Sequence, residues 1–396
     1  LSSAPMKHIV LLTALLALGC GGPSNNNGDG GSNCVMLPGG QGCFFAPTQA
    51  AARTQCGDVT EYCDTTGVAA PNLACLGKTG PAAGAAPAKV TLTGFVHVFS
   101  SGPDSNNVKV QVFDAATVTA ADPANQGTIG ALTATLDPTT QRACDADGAK
   151  GCSLPLVNGC TLPLCNDGLG GRTDDHKYCR NNGSGGECSA RLRWESRYSM
   201  PDVPTNTRLV IRVTGPTGAS DSTWATTVSF NIFLSTSDRA CTSLSDTDCL
   251  DLSNAASPKY QLNVSALSAA DYVNIPTISG LSGGITSGQG AMAGEVHDCD
   301  NVRVDNVEVV TTPGADRFTY FNGNPIMTLP DASRASVGTD RLGLFAALNE
   351  KPGAVHVEAG GAMTPGGPLI SFGTFDAFVY PNTVTIVNVN GGKGTK

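Results

Sequence analysis

The chain lacks the motifs by which many enzymes are recognised. Its 396 residues contain no H-E-x-x-H pair, no phosphate-binding loop and no dinucleotide fingerprint. Charged residues make up only 14%, and 33 acidic against 24 basic side chains leave a net charge of −9 at pH 7. No cluster of Lys and Arg reverses this negative field locally, so we expect no nucleic-acid partner. Together these absences favour a protein that is not an enzyme.

Long apolar runs are also missing from the N-terminal region. The run at 9–18 has ten residues, which is too short for a bilayer-spanning helix of about 20 residues. It follows a basic pair and ends shortly before Cys20, and these are the parts of a secretory signal peptide. Residues 1–5 precede the plausible start at Met6, and we exclude them from the fold predictions as a start-site error or a cloning remnant.

The segment from Met6 to Cys20 resembles the signal sequence of bacterial lipoprotein precursors. In that family a signal peptidase cuts before the cysteine, and acyl chains are attached to its sulfur and to the new amino group. The resemblance implies a signal peptide at 1–19 and a lipid anchor on Cys20, which makes a membrane the first partner. Because Gly21 rather than Asp follows the cysteine, it also implies the outer membrane of a Gram-negative cell envelope.

The residues after the signal peptide predict a flexible tether. Residues 20–33 are mainly Gly, Asn and Ser and carry no group that could bury apolar area. About 13 such residues have a root-mean-square span of about 20 Å. We therefore expect the folded part to be held close to the membrane surface.

Cysteine is the most informative residue type in the rest of the chain. There are 15 cysteines and no C-x-x-C pair of the kind that zinc sites use. Pairing is expected in the oxidising compartment behind a secretion signal, and setting Cys20 aside leaves an even number. The candidates for disulfides are Cys34, Cys43, Cys56, Cys63, Cys75, Cys144, Cys152, Cys160, Cys165, Cys179, Cys188, Cys241, Cys249 and Cys299.

The spacing of these cysteines suggests three local arrangements. Residues 34–87 are predicted to form a small module that ends in an Ala/Gly/Pro linker, and its five cysteines require at least one to pair outside it or stay free. Cys241 and Cys249 are predicted to clasp a loop. Cys299 either reaches an upstream partner or remains a free thiol.

Alternating patterns predict a β-sandwich at 88–278. In 89–99 and again in 108–113 apolar and polar residues alternate on either side of a Gly/Pro/Asn turn, so we expect an antiparallel pair. The same pattern returns at 208–213, 224–234 and 260–264. The cysteine-rich stretch 144–188 predicts an insertion stapled by disulfides.

A second series of strands follows a breaker-rich linker at 279–290. Seven short strands with turns between them are typical of a β-sandwich, which we place at 291–390, before a tail at 391–396. The predicted strands are Ala291–His297, Val302–Val310, Phe318–Phe321, Leu342–Leu348, Ala354–Glu358, Phe372–Tyr380 and Val384–Val389. The predicted fold class is all-β, with two β-sandwiches in tandem.

Short motifs of Gly, Asp and Pro recur along the second sandwich. Residues 294–298 fit G-x-V-x-D, and Thr339-Asp340, Gly343 to Phe345 and Pro352-Gly353 follow in order. These segments resemble carboxypeptidase regulatory-like domains, and the first sandwich resembles them more faintly through 93–96, 108–114 and 198–213. The resemblance covers about half of the chain. It implies Ig-like or transthyretin-like sandwiches and an adhesive or scaffolding role without catalytic residues.

Two kinds of cluster could bind a metal ion. In the sequence His297-Asp-Cys-Asp300, His297 and Cys299 share one side of an extended chain and could begin a zinc site, but no further ligand is evident nearby. We interpret the cluster as a strand end with turn-forming Asp residues. Residues 145–148 and 174–176 could hold a structural calcium ion, yet neither has the D-x-[DN]-x-[DN]-G loop with its distant Glu. We predict no metal and no cofactor.

Candidate nucleophiles and bases carry little signal. Residues 280–284 fit G-x-S-x-G, but a nucleophile elbow needs a strand before it and a helix after it, and flexible sequence surrounds Ser282. His97 and His356 lie within apolar strand patterns and are interpreted as core or sheet-face residues.

Three aromatic residues could line a sugar-stacking face. We assign Trp224 to the core of the first sandwich. Trp194 and Tyr198 are kept as possible ligand-binding residues, and Trp194 is the better candidate for exposure.

These observations favour a lipid-anchored, non-enzymatic envelope protein that binds or scaffolds envelope proteins or glycans. One alternative is a carbohydrate- or peptidoglycan-binding surface protein, which predicts that Trp194→Ala abolishes retention on cell-wall glycans. A second alternative is an envelope hydrolase with an unrecognised site. That alternative predicts an activity on ester, glycoside or peptide substrates that one side-chain replacement abolishes.

Overall fold

Strands dominate the computed structural model of this chain. It describes residues 34–53, 70–76, 88–100, 105–121, 127–135, 196–235, 240–241, 248–323 and 328–390, and the backbone of four short strands at 55–56, 63–64, 177–180 and 187–190. Within these residues there is one α-helix, and there are two short 3-10 helices at Ala115–Thr117 and Ala332–Arg334. The predicted all-β sandwich architecture is therefore confirmed.

The elements are numbered in chain order. Those up to the helix are β1 Ala52–Arg53, β2 Gln55–Cys56, β3 Cys63–Asp64, β4 Lys89–Val98, β5 Val108–Asp114, β6 Thr128–Ala134, β7 Lys177–Arg180, β8 Glu187–Ala190, β9 Arg197–Pro204, β10 Arg208–Thr214, β11 Trp224–Ala225, β12 Thr227–Phe233, β13 Cys249–Asp251, β14 Lys259–Gln261, β15 Val264–Ser268 and α1 Ala269–Ile278. Those after it are β16 Gly290–His297, β17 Val304–Asp305, β18 Glu308–Thr312, β19 Arg317–Tyr320, β20 Leu344–Glu350, β21 Gly353–Gly361, β22 Ile370–Val379, β23 Val384–Val387 and β24 Val389–Asn390.

The first sandwich consists of two facing sheets. In one sheet β4 pairs antiparallel with β9 and parallel with β14 and β15. In the other, β10 lies between β5 and β12, and β6 pairs with β5. Apolar side chains from both sheets, such as Leu92 and Ile211, fill the core between them. Trp224, which we assigned to this core, is 2% exposed.

The predicted antiparallel pair between 89–99 and 108–113 is wrong. Both segments are strands, but β4 and β5 lie in opposite sheets and share no ladder. The chain passes from one sheet to the other between β4 and β5 instead of turning back within one sheet. This crossing places the apolar faces of the two strands against each other. The alternation of apolar and polar residues is the same whether the chain changes sheet or turns back, so it does not distinguish the two paths.

The second sandwich repeats the topology of the first. β16 pairs antiparallel with β20 and parallel with β23 and β24, as β4 does with β9, β14 and β15. In its other sheet β21 lies between β18 and β22, as β10 lies between β5 and β12. The strands of the second series correspond closely to the predicted ones, except that two predicted strands are divided: 302–310 into β17 and β18, and 384–389 into β23 and β24.

A glycine occupies the same place in both halves. A Cβ on Gly94 of β4 would lie 2.0 Å from the carbonyl oxygen of Leu262, and a Cβ on Gly294 of β16 would lie 1.9 Å from that of Val387. Any other residue would collide with the backbone of the parallel neighbour. The glycines of the two motifs are therefore needed for close backbone approach.

An asparagine completes the interrupted ladder beside each glycine. The backbone N–H of Phe95 donates to Oδ1 of Asn263 at 3.0 Å, and that of Glu295 donates to Oδ1 of Asn388 at 3.2 Å. Both asparagines lie where the parallel partner changes from one strand to the next. Each asparagine side chain replaces the backbone acceptor that is lost where the partner strand changes, so neither N–H is left unsatisfied.

The two sandwiches share one continuous sheet. β12 pairs parallel with β23, from Thr227 opposite Val384 to Phe230 opposite Val387, and this joins one sheet of each sandwich into a nine-stranded sheet. The sheet β18–β21–β22 covers one face of it, and α1 lies against the other. In the predicted linker 279–290, Leu281 and Ile285 pack against the cluster beside α1.

Helix α1 is absent from the predicted elements. It begins after Ser268, whose Oγ accepts the backbone N–H of Asp271 at 2.9 Å. The sequence Ser268-Ala-Ala-Asp271 is a helix-start pattern that could have indicated it. No helix in the described part of the chain is long and apolar enough to cross a membrane.

Candidate functional site at the N-terminal strap

The first described residues form a small hairpin, the strap, from Cys34 to Phe45. Val35 and Phe44 exchange two backbone hydrogen bonds of 3.0 Å, and a disulfide joins Cys34 to Cys43. At the tip, Gly40 N–H donates to the carbonyl of Leu37 at 2.9 Å and Gly39 has φ +75°. Pro38 and Gly39 are the residues that a type II turn prefers at its two central positions.

The strap lies on the outer face of the sheet β18–β21–β22. Its side chains Leu37 and Phe44, 5% and 1% exposed, pack against Val310 and Leu369. The register places Val310 of β18 opposite Glu358 of β21. Without the strap, this face would present its side chains to solvent.

Two glutamates on this face hold the strap through its backbone. Glu358 accepts the N–H of Gln41 on Oε1 and that of Gly42 on Oε2, both at 2.9 Å. Glu308 accepts the N–H of Phe45 on Oε2 at 2.8 Å. The carboxyl group of Glu358 thus accepts two successive backbone N–H groups of the strap, and that of Glu308 accepts a third.

The two glutamates are both buried but differ in their neighbours. Glu308 is 7% exposed, and burial raises its pKa to about 7 against the opposing effect of the Phe45 N–H. Glu358, 2% exposed, also lies 3.2 Å from Nε2 of His356, whose Nδ1 is 2.6 Å from Oδ1 of Asp376. A chain of polar contacts therefore runs from the surface at Asp376 to the backbone of the strap.

Beyond the strap the chain continues along the second sandwich. Ala51 N–H donates to the carbonyl of Ala362 at 2.7 Å, and β1 pairs antiparallel with β17. Arg53 forms ion pairs of 2.8 Å with Asp298 and with Asp300. A small depression lined in part by Glu308 and Asn306 lies beside this exit segment.

The His297–Asp300 cluster serves this attachment. Cys299 is joined to Cys75 by a disulfide, so its sulfur is not a thiolate ligand. Asp298 accepts the N–H groups of Asp300 and Val302 on Oδ1, as expected for a turn-forming residue, and that of Asn72 on Oδ2. In the described residues no group of three or more His, Cys, Asp or Glu side chains is placed to hold a metal ion.

His297 belongs to a neighbouring ion-pair network. Its Nε2 lies 2.6 Å from Oε2 of Glu295, which also pairs with Arg303. Burial of Glu295 opposes its ionisation, but Arg303 and His297 together hold the pKa of the carboxyl well below its usual range. The network lies at the end of β16, and its side chains contact one another through ion pairs and hydrogen bonds.

The described disulfides are Cys34–Cys43, Cys75–Cys299 and Cys241–Cys249. Cys299 thus reaches an upstream partner, and that partner is a cysteine of the predicted N-terminal module. In two short ladders the backbone places Cys56 opposite Cys63 and Cys179 opposite Cys188. The remaining disulfide candidates, Cys144, Cys152, Cys160 and Cys165, lie outside the described residues, as does the predicted lipidation residue Cys20.

Tyr198 is not available for stacking against a ligand, which corrects our assignment. It is 2% exposed in the core of the first sandwich, and its hydroxyl donates to the carbonyl of Leu262 at 2.6 Å. Burial, aided by the charge of Asp248, raises its pKa above the ordinary tyrosine value. The neighbouring Arg197 lies over the ring of Phe95, with its Cζ 4.6 Å from the ring centroid. Trp194 lies outside the described residues.

The remaining predicted features either lack the geometry of a catalytic site or lie outside the described residues. Ser282 follows a helix and precedes a strand, the reverse of a nucleophile elbow. The possible calcium ligands at 145–148 and 174–176 lie outside the described residues.

The strap itself was missed as a candidate site. The signal for it was present, because a Pro-Gly turn midway between Cys34 and Cys43 is the pattern of a disulfide-closed hairpin. The two glutamates that bind the strap, Glu308 and Glu358, could not be predicted from the sequence. Comparisons with protein-family models, with curated proteins and with solved structures find no match to this chain.

Proposed function

We propose that this protein is a lipid-anchored, non-enzymatic component of a bacterial cell envelope that binds or scaffolds other envelope molecules. The observation that supports the proposal is the order of parts at the N-terminus. An acylation motif at Cys20 and a spacer rich in Gly, Asn and Ser lead directly into the strap, which is fastened to the second sandwich. A pulling force on the tether would then be transmitted to a continuous β structure that disulfides cross-link.

Metabolic labelling with an alkyne fatty acid tests the anchor. We expect the label on the N-terminal peptide of the mature protein, loss of the label in Cys20→Ala, and release of that variant from the membrane fraction. A mature peptide that begins at Leu1 or Met6 without an acyl group would contradict the proposal. In-cell crosslinking followed by mass spectrometry then identifies the bound molecules.

A further inference from the structure

The outward face of the strap is apolar and uncharged. Leu37 and Phe44 face the sheet, and the alternating residues Met36 and Phe45 are 54% and 36% exposed. They account for two of the six large apolar side chains that are exposed in the described residues. Residues 34–52 contain no charged side chain.

The strap is also the described part of the chain nearest in sequence to the predicted anchor. Thirteen residues separate Cys20 from Cys34, and fully extended they reach about 45 Å. Because the linker spans at most this distance, an anchor at Cys20 would hold the strap near the bilayer at an effective concentration of the order of millimolar. Only a small apolar contact is then needed for the strap to stay on the surface.

The opposite side of the second sandwich provides an internal comparison. Val273 on α1 is 58% exposed. The helix covers the face of the nine-stranded sheet that carries Ala291 and Leu348, whereas the strap lies beyond the three-stranded sheet on the other side. The nine-stranded and the three-stranded sheet both lie between Val273 and Phe45. Because packed sheets are about 10 Å apart, these two side chains are separated by more than that distance.

From these observations we infer that the outward face of the strap, Met36 and Phe45, contacts the lipid surface and orients the second sandwich with α1 away from the bilayer. This inference rests on the proposed anchor at Cys20. The partner is a phospholipid surface, because the face offers apolar side chains without charge and the tether holds it there.

Fluorescence quenching by brominated phospholipids tests the inference. Acylated protein carrying Phe45→Trp is reconstituted into phosphatidylethanolamine and phosphatidylglycerol vesicles, and the signal of the unsubstituted protein is subtracted. Because an interfacial contact reaches only about 5–10 Å into the bilayer, we expect Phe45→Trp to be quenched roughly threefold more than Val273→Trp. Met36→Trp is a second probe that leaves the Phe45 position intact.

Mass analysis of the N-terminal peptide separates the two hypotheses. An acylated peptide with equal quenching at 36, 45 and 273 would overturn the lipid contact and leave the anchor standing. An unacylated peptide would overturn both. Amide exchange at Gln41 and Gly42 checks that each tryptophan variant keeps the strap docked.

Discussion

Gly42 of the strap lies directly against Val310 of β18. A Cβ on Gly42 would be 2.0 Å from Cγ2 of Val310 and 3.0 Å from Oε2 of Glu358. The absence of a side chain therefore allows the Gly42 N–H to reach the carboxylate. Docking of the strap depends on this contact.

Replacement of Gly42 by valine is expected to detach the strap. Overpacking at a buried contact costs about 1–3 kcal/mol, and the hydrogen bonds to Glu358 are lost with it. Hydrogen exchange should show faster exchange of the Gln41 and Phe45 amides. Gly127→Val is the control, because nothing lies within 4 Å of a Cβ there. Unchanged protection in Gly42→Val would refute the role of this contact.

The two strap-binding glutamates are expected to respond differently to amide replacement. Glu358 uses both oxygens to accept backbone N–H groups, so Glu358→Gln places an NH₂ group against a donor and should cost about 1–3 kcal/mol. Glu308 accepts through one oxygen, and its pKa of about 7 means that it is already partly protonated at neutral pH. Glu308→Gln should therefore change stability by less than Glu358→Gln in urea unfolding at pH 7. The reverse order would contradict this assignment.

Stability is expected to fall as pH rises from about 5 to about 8. Burial raises the pKa values of Glu308 and Glu350 to about 7 and that of Asp340 to about 6. Each pKa is higher in the folded than in the unfolded chain, so the folded state binds more protons in this window and loses stability as the protons leave. The pKa of Glu295 is lowered, and its contribution is lost only at more acidic pH.

Urea unfolding across this pH range tests the expectation. Glu350→Gln removes one titrating carboxyl. It should reduce the decrease in unfolding free energy between about pH 5 and about pH 8 by roughly 1 kcal/mol or more. The profile of the unsubstituted protein is the reference. A free energy that rises steadily from about pH 5 to about pH 8 would be incompatible with the raised pKa values.

The Cys75–Cys299 disulfide is expected to stabilise the N-terminal attachment strongly. It spans 224 residues, so its removal in Cys75→Ala/Cys299→Ala should cost about 2–5 kcal/mol. Cys241→Ala/Cys249→Ala, which opens a loop spanning 8 residues, is the matched comparison and should cost less. Thermal unfolding of the two double variants gives the order, and equal losses would argue against the chain-entropy reasoning.

Local alternation was sufficient to place the strands of the second sandwich. Val384, Ile386 and their neighbours are β-branched and bounded by turn residues, and this pattern depends only on adjacent positions. The likeness between the halves was also visible through Gly94 and Gly294. The paired asparagines, Asn263 and Asn388, were not recognised, because their role depends on a parallel strand far away in the sequence.

What the sequence determined by itself was the β character of the chain, the positions of most strands and the expectation of disulfides. Tertiary structure alone decided that β4 and β5 face each other across a core, that Tyr198 points inward, that Cys299 meets Cys75 and that Glu308 and Glu358 receive the strap. The physical reason is that period-two patterning records which side chains share a face. It does not record which distant segment covers that face, since that choice depends on packing and hydrogen bonds between residues as far apart as Gly42 and Glu358.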